Sequence, residues 1–187
     1  MSANVPFTGR CACGEISYQC NEAPLAMFNC HCHQCQIASG GTFVTVALVR
    51  ESALTIENGQ PKFYKSSGDS GRTTERGFCS ACGTPMFAKG EVAPGLISIK
   101  PGTLDDNSWF KPTIDTWSST APTWLCQSPD LPKSNHTPVA APGCSFHFFE
   151  IIGRKRSKCD SNKRISPKLL LLSSFFTVKK SPSQRLL

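Results

Sequence analysis

Cys11-Ala12-Cys13-Gly14-Glu15-Ile16-Ser17-Tyr18-Gln19-Cys20 carries two signals in ten residues: a pair of cysteines one residue apart and, directly behind it, a run that alternates polar and apolar side chains. A period of two puts the apolar set on one face of a strand. The same reading extends outward along the chain. Residues 42–49 (Thr-Phe-Val-Thr-Val-Ala-Leu-Val) are β-branched and apolar enough for a buried strand, and shorter candidates lie at 25–28, 54–56, 62–65, 84–88 and 96–100. Turn residues separate them, among them Asn58-Gly59, Ser67-Gly68-Asp69, Lys89-Gly90, Pro94-Gly95 and Pro101-Gly102. No segment of eleven or more residues shows a helical stripe, and only residues 104–109 suggest a short helical turn. The pattern predicts an all-β domain. Cys20, in the alternating run, reads as a small core residue.

The chain has 187 residues and 11 cysteines, a content that points to metal before disulfide. Seven of the 11 fall in three tight groups: Cys11 and Cys13; Cys30, Cys32 and Cys35; Cys79 and Cys82. Cys20, Cys126, Cys144 and Cys159 stand alone. A structural zinc is closed by four ligands, whereas a catalytic zinc takes three from the protein and keeps one position open. Seven ligands divide naturally into four and three. Cys79-Ser80-Ala81-Cys82 is half of a closed site, and Cys11 with Cys13 completes it most simply, stapling positions 66 residues apart. Cys30, Cys32 and Cys35 are then the open site. An extended backbone would put Cys30 and Cys32 on one face and His31 and His33 on the other, with a turn returning Cys35 to the same metal. Ser39-Gly40-Gly41 would form a small-residue rim beside it. Two closed sites, with Cys20, His31 or His33 as the eighth ligand, would instead make a purely structural protein.

Three thiolates leave a zinc site with a net charge near −1, a weak Lewis acid suited less to making hydroxide than to holding a thiol as its reactive thiolate. The site therefore favours sulfur chemistry over hydrolysis. Arg10, Arg50, Arg72 and Arg76 are candidates to hold substrate carboxylates, with Arg76 preferred because it lies just ahead of Phe78-Cys79. Trp109, Trp117 and Trp124 read as core or pocket wall.

The formal charge of +7 is unevenly spread. Residues 1–135 carry 10 basic and 11 acidic side chains, net −1, and residues 136–187 carry 10 basic and 2 acidic, net +8. The body thus offers no electrostatic reason to expect nucleic acid. We read residues 1–135 as the zinc-binding domain and residues 136–187, rich in Ser, Pro and basic side chains, as a poorly structured tail. Arg154-Lys155-Arg156-Ser157-Lys158 reads equally as a solvated run or a nuclear address. The first residues lack the basic and apolar regions of a secretory leader, and no apolar run approaches the roughly 20 residues that cross a bilayer. The expected setting is the reducing cytoplasm, with the nucleus open to the protein if the basic tail acts as an address.

The residues Gly9-Arg10-Cys11-Ala12-Cys13-Gly14, Cys30-His31-Cys32-His33-Gln34-Cys35 with Ala38-Ser39-Gly40-Gly41 and Phe43, Arg76-Gly77-Phe78-Cys79-Ser80-Ala81-Cys82-Gly83-Thr84-Pro85, and Gly102-Thr103-Leu104-Asp105-Asp106 together resemble the glutathione-dependent formaldehyde-activating enzyme and centromere protein V family. The resemblance runs over about residues 7–133. It implies a β-tent fold of packed antiparallel sheets, a structural zinc on Cys11, Cys13, Cys79 and Cys82, and a catalytic zinc on Cys30, Cys32 and Cys35. It also implies two zinc ions and glutathione as co-substrate in a carbon–sulfur lyase reaction, run in reverse to make S-hydroxymethylglutathione from formaldehyde. The centromere-associated branch implies the other class, a non-enzymatic zinc scaffold or interaction protein. Residues 114–124 lack the His and Lys that often precede the family's Pro and Trp.

Overall fold

A computed structural model describes residues 4–68 and 71–135. The expected low-order tail, with Cys144 and Cys159, lies outside the described residues. The alternating run behind the first cysteine pair folds as a strand, and strands dominate the described residues on either side of it. In chain order they are β1 (Phe7–Arg10), β2 (Ser17–Cys20), β3 (Ala26–Cys30), β4 (Val44–Arg50), β5 (Leu54–Asn58), β6 (Lys62–Ser67), β7 (Thr73–Phe78), β8 (Pro85–Gly90), β9 (Leu96–Ile99), β10 (Asp115–Thr116) and β11 (Lys133–Ser134). One helix, α1 (His33–Ser39), separates β3 from β4.

Two sheets result. The smaller has the order β1-β2-β5, and the larger β11-β10-β3-β4-β9-β8-β7-β6. Pairing is antiparallel except where the two-residue β10 runs parallel to β3 and β11. The pleat accounts for the core. Tyr18 and Cys20 of β2, with Ile16 just before it, pack with Ala47 and Val49 of β4, Met86 and Phe87 of β8, and Ile97 and Ile99 of β9. The Tyr18 and Phe87 rings meet edge to face at 5.2 Å, joining the two sheets. Cys20 is fully buried there, as its alternation predicts.

Several local expectations need correction. β1 and β7 carry no sequence alternation of apolar residues and lie outside the expected strands; β7 is Thr-Thr-Glu-Arg-Gly-Phe and gains its strand identity from pairing with β6 and β8. The segment after Cys32 is helical rather than a simple turn, although it ends at Gly40 where small residues were expected. The helical turn expected at 104–109 forms earlier, as a 3₁₀ turn at Pro101–Thr103. Trp109 joins the core, but Trp124 is 75% exposed and is neither core nor pocket wall.

Gly9 of β1 marks a tight approach to its cross-strand partner Tyr18 and to the 3₁₀ turn at Pro101–Thr103. A Cβ there would lie 2.2 Å from Tyr18 Oη and 2.4 Å from the Thr103 carbonyl oxygen. Tyr18 cannot retreat, since it is buried and its hydroxyl shares a 2.8 Å hydrogen bond with Thr103 Oγ1. Gly9→Ala is expected to lower the unfolding free energy by about 2 kcal/mol or more in denaturant titration.

Candidate functional site: two thiol clusters and a basic cavity

The sulfurs of Cys11, Cys13, Cys79 and Cys82 lie within 4.8 Å of one another, and so, separately, do those of Cys30, Cys32 and Cys35. The structure thus gathers the seven grouped cysteines as four and three. Neither Cys20, His31 nor His33 joins a cluster among the described residues.

The first cluster is built from two tight turns. In one, Gly14 N–H donates to the Cys11 carbonyl at 3.0 Å; in the other, Gly83 N–H donates to the Cys79 carbonyl at 2.8 Å. Both turns end on a glycine with positive φ, 78° at Gly14 and 74° at Gly83, which a side chain would strain. The turns are tied together where the Ala12 N–H donates to Thr84 Oγ1 at 3.1 Å. Cys13 Sγ lies 3.4 Å from Cys11 Sγ and 3.8 Å from Cys79 Sγ. A tetrahedron of sulfurs around zinc, with bonds near 2.3 Å, has edges of about 3.8 Å, so the donor set fits zinc in both chemistry and spacing. The crowding polarises the thiols. The Thr84 hydroxyl pulls Cys82 down to about 5. At Cys13 the Glu15 backbone lowers the thiol, but proton sharing with Cys11 and Cys82 outweighs it and holds the group up at about 12.

The second cluster sits where three elements meet. Cys30 ends β3, Cys32 is extended (φ −61°, ψ 149°) just before α1, and Cys35 lies in the first turn of that helix. The Cys35 and Gln36 N–H groups both donate to the Cys32 carbonyl, at 2.9 and 3.1 Å, which returns the third sulfur to the other two. Hydrogen bonds with Cys30 and then Cys35 pull the Cys32 thiol down to about 2, with help from the Arg76 charge. The same contacts raise Cys30 and Cys35.

Behind this cluster His31 points into the protein, opposite Cys30 and Cys32. His31 Nε2 lies 3.6 Å from Asp115 Oδ1, and the Asn29 side-chain amide donates to the same oxygen at 2.8 Å. All three residues are buried. The Thr116 hydroxyl donates to the Asn29 carbonyl at 2.9 Å, and the Gln36 amide and Thr120 hydroxyl donate to the His31 carbonyl at 2.7 and 2.9 Å. This network fixes the backbone that carries Cys30 and Cys32.

A cavity of about 400 Å³ lies against α1, the helix that carries Cys35, with no cysteine in its lining and with Gly83 and Pro85, next to the four-thiol turn, on its rim. Ala38 and Ser39, on the helix that carries Cys35, form one wall, and Tyr64, Phe78, Arg76 and Lys100 form much of the rest. His33, exposed at the start of α1, is not among its lining residues. Of the expected small-residue rim, only Ser39 lines it. Cross-strand register explains the grouping. Tyr64 pairs with Arg76, Arg76 with Ala88, and Ala88 with Ser98, which puts one row of side chains on one face, and Lys100 lies two residues beyond Ser98. Burial lowers the Lys100 ammonium from its ordinary value, against the opposing pull of Cys35. Of the four candidate arginines, Arg10 pairs with Asp105 at 3.1 Å, Arg50 pairs with Glu22, and Arg72 is exposed; Arg76 faces the cavity. Lys100 was missed. The only sequence signal for it was its place two residues beyond Ser98 on the face opposite Ile97 and Ile99.

A two-sheet β protein that gathers seven cysteine sulfurs as four and three belongs to a class with donor sets that could hold zinc. The chain belongs to the glutathione-dependent formaldehyde-activating enzyme family, whose family model matches residues 6–120. A comparison with curated proteins finds no match. Among solved structures the chain is similar to a crystal structure of a Rhodobacter sphaeroides protein, at 19% identity over 52% of this chain and 87% of that one, with a TM-score of 0.43. No helix among the described residues is long and apolar enough to cross a membrane.

Removing the Asp115 carboxylate would strand the buried Asn29 amide that donates to it. Asp115→Ala is expected to cost about 2 kcal/mol in denaturant unfolding, with Asp115→Asn recovering part of the loss.

Proposed function

We propose that the protein is a zinc-dependent carbon–sulfur lyase acting on glutathione or a similar thiol adduct, with Cys11, Cys13, Cys79 and Cys82 holding a structural zinc and Cys30, Cys32 and Cys35 a catalytic one. The observation that carries this reading is the three-thiol cluster, one ligand short of a closed site, with a cavity large enough for a small thiol compound against the helix that carries Cys35. Family membership supports the same substrate pair, glutathione and formaldehyde. Zinc bound by three thiolates would supply a positive charge that keeps the substrate sulfur ionised.

The chain's own groups do the rest. The start of α1 and the end of β3 bring the three sulfurs together. Tyr64 and Phe78, whose rings meet at 6.0 Å, give the cavity an aromatic wall. In the synthetic direction the thiolate sulfur attacks the formaldehyde carbon, a carbon–sulfur bond forms, and the carbonyl electron pair moves to oxygen, which takes up a proton. The lyase direction reverses each change. Orienting thiol and aldehyde beside one another is the main gain. The nine cysteines among the described residues are all free thiols, in keeping with action in the cytoplasm.

Metal analysis combined with a thiol-plus-formaldehyde assay tests the proposal. The wild type should hold two zinc ions and turn over the adduct. Cys32→Ser should keep one zinc and the fold while losing activity by at least about a hundredfold, the scale expected when an activating group is removed. Cys82→Ser should lose metal and cooperative unfolding together. Full activity in Cys32→Ser would contradict the catalytic assignment, and a zinc-loaded wild type with no thiol turnover would favour the scaffold class.

A further inference from the structure

Of the ten Lys and Arg among the described residues, four pair with carboxylates, four more (Lys62, Arg72, Lys111 and Lys133) stand exposed to water, and two half-buried cations are left. Arg10 pairs with Asp105, Arg50 with Glu22, Lys65 with Glu75 and Lys89 with Glu51. Arg76 and Lys100 pair with no carboxylate among the described residues, although both are half-buried and both line the same cavity. The Arg76 guanidinium donates to the Ser66 hydroxyl, which accounts for only part of its five-donor fork. A partly desolvated cation without a partner is costly, and two in one cavity repel each other. The sulfurs of Cys30, Cys32 and Cys35 lie within electrostatic reach of both. With a divalent cation bound, three thiolates carry a net charge of −1, which offsets only one of the two. One positive charge remains facing the cavity.

We propose that Arg76 and Lys100 form an anion subsite that grips a carboxylate of the thiol substrate, so that the site selects thiols bearing a carboxylate over neutral ones. The planar guanidinium suits a two-pronged hold on a carboxylate, and the ammonium supplies a second, point-like charge. Tyr64 and Phe78 cover the apolar part of the ligand between the carboxylate and the sulfur. The inference rests on the thiol-adduct reading for where the sulfur sits, and it adds what the rest of the substrate must carry.

Calorimetric binding to the zinc-loaded full chain, without formaldehyde, tests this apart from turnover. The probes are glutathione and its diethyl ester, which keeps the thiol and removes both carboxylates. The wild type should bind glutathione about tenfold or more tightly than the ester. Arg76→Gln and Lys100→Gln should each remove most of that preference while leaving ester affinity unchanged, and Arg76→Lys should keep part of it. If Lys100→Gln does not fold, Arg76→Gln carries the test alone. Equal binding of acid and ester by the wild type, no measurable binding of either, or an undiminished preference in Arg76→Gln would overturn the subsite; the last would leave the two cations only the task of offsetting the thiolate charge. A preserved acid preference in a protein that turns over no thiol with formaldehyde would uphold the subsite and sink the lyase reading.

Discussion

The contact between the sulfurs of Cys13 and Cys79, 66 residues apart in the chain and 3.8 Å apart in space, is the constraint on which the rest of the structure depends. It joins the turn that leads into β2 to the turn between β7 and β8, and therefore ties the small sheet to the large one. Closing a loop of that length costs several kcal/mol of chain entropy, which the turn hydrogen bonds and the Ala12–Thr84 link offset only in part. Four thiols brought this close also compete for protons. A cation that replaced those protons would relieve the competition and convert its binding energy into fold stability. The core contact of Tyr18 with Phe87 lies between the two sheets that this staple holds together.

The second cluster depends on the fold in another way. It sits at the end of β3, which β4 holds on one side and β10 on the other, and it is backed by the buried Asn29, His31 and Asp115. Its three sulfurs converge within 4.8 Å of one another, and the charges of Arg76 and Lys100 reach them from the cavity wall. The same sheet that supplies the core with Phe87 and Ile99 supplies the cavity with Arg76 and Tyr64, and Phe87 itself reaches both.

Both clusters were legible in the sequence because ligand spacing is a local property that survives folding. The four-and-three division came from counting, and the strands with clear alternation, such as β2, and those rich in β-branched residues, such as β4, could be read directly. What escaped was decided by long-range pairing. β7 has the polar sequence Thr-Thr-Glu-Arg-Gly-Phe and is a strand because β6 and β8 satisfy its backbone on both sides. α1 is only seven residues long, too short to show a stripe, and is held by the turn that returns Cys35 to its neighbours. Lys100 and the buried Asp115 looked like ordinary charged residues, since nothing in their immediate sequence tells that one faces a cavity and the other lies beside His31. Trp124 shows the converse, an aromatic residue whose type suggested burial and whose position at the surface denies it.

The central claim is that seven thiols serve two zinc ions of different character, one closed and one open. X-ray absorption at the zinc edge, on protein whose metal content has been measured, tests it most directly. Two ions per chain sharing seven sulfur neighbours and one oxygen or nitrogen neighbour is the predicted result. A single zinc, or two ions each closed by four sulfurs, would contradict it.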